Sequence, residues 1–239
     1  MKPFYRLVNP VFEQKGIEYD TMEIPLSPRK QRSINLFQLF KIAIVFWQRT
    51  GVQLSTAIDA MLRFRDYLEE VQSIERSGGE SVPTSFFNHH EPIQAVTLQD
   101  IKTLMFVYYD LYNKEGLSLY FDDLPYIWEL LWEIVRKDFF SNKTCRFQCL
   151  FLYDNLDQTK SFQAKIDPYH QNTIVKVWLE NEDSIERYDA GWLDMISVNC
   201  TFNEYFDYCR NYWEGKESKC PNWEYLYVGK YKLGNIGDK

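Results

Sequence analysis

Apolar residues alternate with polar ones near both ends of the chain and recur every three to four positions in the middle. "FYRLVNP" and "GIEYDTMEIPLSP" predict short extended segments around Gly16, closed by Pro25 and Pro28. From Ser33 the spacing lengthens. "SINLFQLFKIAIVFWQRTG" predicts a helix stopped at Gly51. "STAIDAMLRFRDYLEEVQSIERSGG" sets Ile58, Met61, Leu62, Leu68, Val71 and Ile74 at helical spacing and ends at Gly78-Gly79, and "GGESVPTSFFNHHEP" reads as a loop. "TLQDIKTLMFVYYDLYNKEG" opens on a capping box, Thr97 to Asp100, and stops at Gly116. "DDLPYIWELLWEIVRKDFF" has Asp122 or Asp123 as its cap and Pro125 in the first turn. The stretch from Ser33 to Asn142 is therefore expected to hold mainly four helices.

Mixed elements follow. "RFQCLFLYD" predicts a buried strand and "NLDQTKSFQAK" a short helix, while "TIVKVWLE" puts Val175, Val177 and Leu179 on one face of a strand. "SIERYD" reads as a further strand. "TFNEYFDYCRNYWEG" carries a second capping box, Thr201 to Glu204, and stops at Gly215. In the last strand, "NWEYLYVG", Trp223, Tyr225 and Tyr227 share one face, so the carboxylate of Glu224 falls in line with Leu226 and Val228. The expected class is α+β, with a core from residues 1–32 and 143–239 and a large, mainly helical insertion over 33–142.

With 239 residues, 45% of them hydrophobic and 17% aromatic, the chain can bury a sizeable core. A net charge of −7 argues against a broad non-specific nucleic-acid binder, although a local basic cleft stays open. "MKPFYRLVNP" lacks an apolar run of signal-peptide length, and "INLFQLFKIAIVFW", interrupted by Lys41, is too short to span a bilayer. Five cysteines without close pairs fit free thiols, so a cytoplasmic protein without membrane contact is expected.

Several chemistries lack their residues. Gly78-Gly79 follows a helix and has no Lys-Ser/Thr behind it, unlike a phosphate-cradling loop. "CRFQC" has no second cysteine pair, and adjacent His89 and His90 cannot share a face of a regular element, so no metal is expected. The Tyr and Trp residues from Tyr205 to Tyr225 could stack bases, but on an amphipathic helix and strand they read first as core.

The order of an early strand with "FYR", a strand–helix unit "LFLYDNLDQTKSFQAK", the strand "IVKVWLE" and the late "NWEYLYVG" resembles the ADP-ribosyltransferase fold, in particular its small bacterial members. The resemblance covers roughly residues 1–30 and 144–235 and implies a split β core that uses NAD as co-substrate. It places Arg6 on the adenylate side of NAD, Phe151 or Tyr153 beside the nicotinamide, and Glu224 as the catalytic carboxylate, with Tyr5 as a further cofactor-binding residue. Arg146 is added as a candidate pyrophosphate contact, because Arg suits bidentate phosphate binding. A Ser/Thr-rich middle motif is not clear in "RFQCLFLYD". Asn222 stands where arginine-modifying members carry a second acid.

The resemblance thus implies transfer of ADP-ribose to RNA or protein rather than to arginine. A toxin or antiviral-defence role follows from the same likeness, with a neutralising partner protein. Glu224→Gln is expected to keep the fold and lose activity, and Arg6 and Glu224 are expected to line one cleft. Two alternatives stand beside this reading: a non-catalytic interaction module on the same fold, and an NAD glycohydrolase.

Overall fold

The protein is described here by a computed structural model, for residues 3–23, 37–62, 64–82, 96–115, 124–167, 169, 171–181, 184–197 and 200–237. In chain order these form β1 (Phe4–Val8), β2 (Glu18–Asp20), α1 (Phe37–Thr50), α2 (Leu54–Leu62), α3 (Phe64–Arg76), β3 (Ser81–Val82), β4 (Val96–Thr97), α4 (Leu98–Glu115) and α5 (Leu124–Phe139). A 3-10 turn at Arg146–Gln148 then leads into β5 (Leu150–Leu152), α6 (Leu156–Ile166), β6 (Thr173–Leu179), β7 (Ile185–Asp189), α7 (Gly191–Asp194), α8 (Phe202–Trp213), β8 (Trp223–Tyr227) and β9 (Lys230–Gly234). The class is α+β.

The chain divides into two compact units: residues 1–27, 139–195 and 210–239 in one, 28–138 and 196–209 in the other. In the first, two antiparallel sheets run in the orders β1-β6-β9-β2 and β5-β8-β7. Among the described residues they meet at one bridge, where Tyr5 N donates to Tyr153 O at 2.7 Å and Tyr153 N to Tyr5 O at 2.9 Å. Alternation does the rest. Phe4 and Val8, Leu150 and Leu152, Val175, Val177 and Leu179, Tyr227, and Tyr231 and Leu233 all turn to one side and make a single buried cluster. Each strand spends every second residue on this cluster, so the opposite face is where chemistry can be placed. Gly229, at φ 144°, lies between β8 and β9, where the chain crosses into the other sheet.

The helical unit buries Phe40, Trp47, Ile58, Met61, Ile101, Leu104 and Leu131. After Gly51 the chain is helical over Leu54–Leu62 and Phe64–Arg76, and Arg63 between them lies outside the described residues. Ser81–Val82, expected as loop, pairs with Val96–Thr97, because Val82 and Val96 are both buried. His89, His90, Gly116 and the caps Asp122 and Asp123 lie outside the described residues.

Both capping boxes form. Thr97 Oγ1 donates to Asp100 Oδ2 at 2.6 Å while Asp100 N donates back to Thr97 Oγ1 at 3.1 Å, and Thr201 and Glu204 repeat the exchange at 2.9 and 3.3 Å. The second box starts α8, whose residues up to Cys209 belong to the helical unit. There Trp47 meets the rings of Phe202 and Tyr205 at 5.5 and 5.4 Å.

Candidate active site

Glu224 sits on β8 with its side chain on the face opposite Tyr225 and Tyr227, as alternation requires. It is only 3% exposed. A carboxylate so placed needs partners, since an unpaired buried charge costs far more than a fold can spare. Arg146 supplies one: its Nη1 donates to Glu224 Oε1 in a buried ion pair. Tyr212, near the end of α8, supplies the other, its hydroxyl donating to the same Oε1 at 2.6 Å. Arg146 Nη1 also reaches the Tyr212 hydroxyl. Among the described residues Oε2 receives no donor.

Aromatic rings wall this cluster. The Arg146 guanidinium lies over Phe151 at 4.7 Å and over Tyr212 at 5.2 Å. Tyr188, directly opposite Glu224 in the β7–β8 ladder, stacks on Tyr212 with centroids 4.8 Å apart. Tyr188 also donates to Glu186 Oε2 at 2.9 Å, and the backbone N of Thr144 donates to that same oxygen at 2.8 Å. Burial pushes the Tyr212 hydroxyl well above its usual range; nearby Arg146 works against this and the Glu224 hydrogen bond adds to it. Tyr212 is therefore a fixed proton donor at neutral pH.

Of the residues singled out from the sequence, the fold gathers most onto one side. The β5–β8 ladder ends with Leu152 opposite Tyr225, and the next residue, Tyr153, bridges to Tyr5 instead. Phe151 lies opposite Leu226, on the face that Leu226 shares with Glu224, and alternation turns Tyr153 to the same side of the chain as Phe151. Tyr153 is buried and its ring meets Phe162 of α6 at 5.2 Å, whereas Tyr5 is half-buried.

Arg6 is not part of this group, which corrects the expectation that it shares a cleft with Glu224. It alternates with Tyr5 and so shares the core-side face of β1 with Phe4 and Val8. There it donates to Glu13 Oε1 at 2.8 Å and to the Tyr231 hydroxyl at 3.3 Å. Arg146 is also placed otherwise than expected. Its guanidinium is engaged by Glu224 and Tyr212 rather than held open for a pyrophosphate, because it enters from a buried 3-10 turn and not from a strand.

The turn into β8 is held by a second buried carboxylate. Asp189, at the end of β7, accepts from the backbone N of Gly191 at 2.8 Å, Ser218 at 2.6 Å and Asn222 at 2.8 Å. Asn222, expected in place of an acid, is tied further through its side chain to Gln158 and Asp194. Gly191 is required here. A Cβ would lie 2.4 Å from Ser218 Oγ, 2.6 Å from the carbonyl oxygen of Cys220 and 2.8 Å from Asp189 Oδ1. Gly191→Ala is therefore expected to cost about 1–3 kcal/mol, read as a lower urea midpoint at unchanged slope. An unchanged midpoint would mean the turn is looser than these distances.

Among the described residues no group of three or more His, Cys, Asp or Glu could hold a metal ion, and no helix is long and apolar enough to cross a membrane. None of the five cysteines is in a disulfide. Residues 66–239 match DUF2441, described as a protein of unknown function. The chain belongs to the DUF2441 family. The match takes in the candidate-site residues from Arg146 to Glu224 and leaves Tyr5 and Arg6 before it. No curated protein matches the chain.

Sequence reasoning singled out Glu224, Arg146, Phe151, Tyr153 and Tyr5 but read Tyr212 as plain core. The available signal was its place on the buried stripe Tyr205, Cys209, Tyr212 of an amphipathic helix, where a phenol at the stripe's end needs a partner.

Proposed function

We propose that the chain is an NAD-dependent ADP-ribosyltransferase with Glu224 as its catalytic carboxylate, acting on RNA or protein. The observation that carries this reading is the asymmetry of Glu224: Oε1 is fixed by Arg146 and Tyr212, while Oε2 receives no donor among the described residues. A carboxylate that served only to neutralise Arg146 would gain most by offering both oxygens to the fork of the guanidinium. One anchored and one free oxygen suits a group that must accept a hydrogen bond from a substrate hydroxyl. The two sheets, joined among the described residues at the Tyr5–Tyr153 bridge, support the split core that the resemblance implies.

The chemistry follows from that oxygen. The bond from the ribose C1′ to the nicotinamide nitrogen breaks, and its electron pair neutralises the ring. C1′ becomes oxocarbenium-like, as in glycoside cleavage. Oε2 accepts from the ribose 2′-hydroxyl and holds the sugar as charge develops. Because Arg146 already offsets much of the carboxylate's field, orientation is the larger share of its contribution. Phe151 and Tyr153 supply aromatic surface for the nicotinamide. An acceptor lone pair then bonds to C1′, and its proton passes to solvent. With Asn222 where a second acid would sit, an acceptor more easily deprotonated than a guanidinium is favoured.

One observation favours a second reading. Glu224 and Arg146 are almost wholly buried, which suits a non-catalytic interaction module whose ion pair only holds the fold. Incubating the purified chain with NAD and cell RNA or protein separates the two. The transferase reading expects nicotinamide release together with an ADP-ribose mass shift on RNA or on non-arginine side chains. NAD loss without a mass shift points to a glycohydrolase, and no NAD loss leaves the interaction module. A toxin or defence role further expects growth arrest on expression, relieved by Glu224→Gln.

A further inference from the structure

We infer that Tyr212 is a positioning residue for the reaction proposed above, clamping Oε1 of Glu224 together with Arg146 so that Oε2 alone is presented to the ribose. The inference rests on the transferase reading, and its own content is the clamp.

The Tyr212 hydroxyl is placed by its ring, not by the carboxylate. The ring is wholly buried, stacks on Tyr188 at 24° between planes and meets Trp213 edge-on at 4.9 Å. Tyr205, Cys209 and Tyr212 lie at helical spacing along one buried stripe of α8. A donor held this way costs no reorganisation when the reaction occurs. The Arg146 guanidinium is in turn packed on two rings, 4.7 Å from the Phe151 centroid and 5.2 Å from that of Tyr212. Two rigid donors converging on one oxygen set both the position and the twist of the carboxylate. Either donor alone would set only the position. The buried hydroxyl also stays protonated, so the clamp holds across the neutral range.

The test is Tyr212→Phe, which keeps the ring and its stacking and removes only the hydroxyl. Three quantities are read: kcat and KM for NAD, the rate at which carbodiimide and an amine label Glu224 by peptide mass spectrometry, and the urea midpoint. The expected result is a kcat lower by roughly 10- to 100-fold, as for a small misplacement of a reacting group, with KM within about twofold. Labelling of Glu224 should rise several-fold, because a carboxylate released from one donor can turn. Unchanged labelling overturns the clamp whatever the kinetics. Raised labelling with unchanged kcat, or with a higher KM alone, overturns its role in the reaction. A merely structural role would lower the midpoint and leave the kcat of the folded fraction as it was. If labelling rises but neither form consumes NAD, the transferase reading fails, and with it the catalytic use of a clamp that the labelling itself has shown.

Discussion

Glu224→Ala is expected to destabilise the fold by about 3–5 kcal/mol, the range for removing one member of a buried ion pair. The loss has two sources. Arg146 would keep its charge in a site where its guanidinium is shut from water, with no carboxylate to meet it. Tyr212 would keep a buried hydroxyl whose acceptor is gone. Glu224→Gln behaves differently. Its carbonyl oxygen can take the place of Oε1 and accept from both donors, so only the charge part of the pair is lost. Its NH2 falls where Oε2 stood, offering a donor to a ribose hydroxyl that needs an acceptor. On the transferase reading proposed above, NAD turnover should then fall roughly a hundred- to a thousand-fold, as for removal of one fixed transition-state contact. Urea unfolding of both variants, with nicotinamide release from the Gln form, reads the two effects separately. An Ala variant as stable as the parent would mean that the ion pair does not form in solution. A Gln variant with normal turnover would remove Glu224 from the chemistry.

That contrast was only half legible in the sequence. Period-two alternation in "NWEYLYVG" marks Glu224 as a charge in an aliphatic position, and β8 puts it there. The capping boxes at Thr97 and Thr201 were legible for a similar reason, since their partners lie three residues away. The ion pair was not, because Arg146 and Glu224 lie 78 positions apart and one sequence holds no trace of who meets whom. "RFQCLFLYD" looks strand-like from Arg146 onward, yet only Leu150–Leu152 pair as strand. The first residues tighten into a 3-10 turn that buries Arg146 and Phe147, so tertiary packing overrides local propensity. Arg6 shows the opposite failure. Its strand was read correctly, but a one-residue difference in register decides the face, and Tyr5 takes the side on which Glu224 lies.

Asp189→Ala should be as costly as Glu224→Ala, and more so at neutral than at acid pH. Three backbone amides, those of Gly191, Ser218 and Asn222, point at this one fully buried carboxylate. Without it they have no acceptor in a site closed to water, at roughly 1–2 kcal/mol each, or about 3–6 kcal/mol together. The pH dependence follows from the same contacts. Burial alone would raise the Asp189 pKa, but the amide bonds from Asn222, Ser218 and Gly191 outweigh it and hold the value below that of a free aspartate. A carboxylate lowered on folding contributes stability that is present above its unfolded value of about 3.9 and is lost as pH falls through the lower folded value. The difference in urea midpoint between parent and Asp189→Ala should therefore be full at pH 7 and shrink below about pH 4. The consequence reaches the candidate site, because Asn222 is the residue before β8 and Glu224 is the second residue within it. Loosening the Asp189 contacts frees the start of the strand that carries the carboxylate, so nicotinamide release by Asp189→Asn should fall even at temperatures where most of the chain stays folded. If the parent-to-variant difference is the same at pH 3 and pH 7, the ionised carboxylate is not what holds this turn.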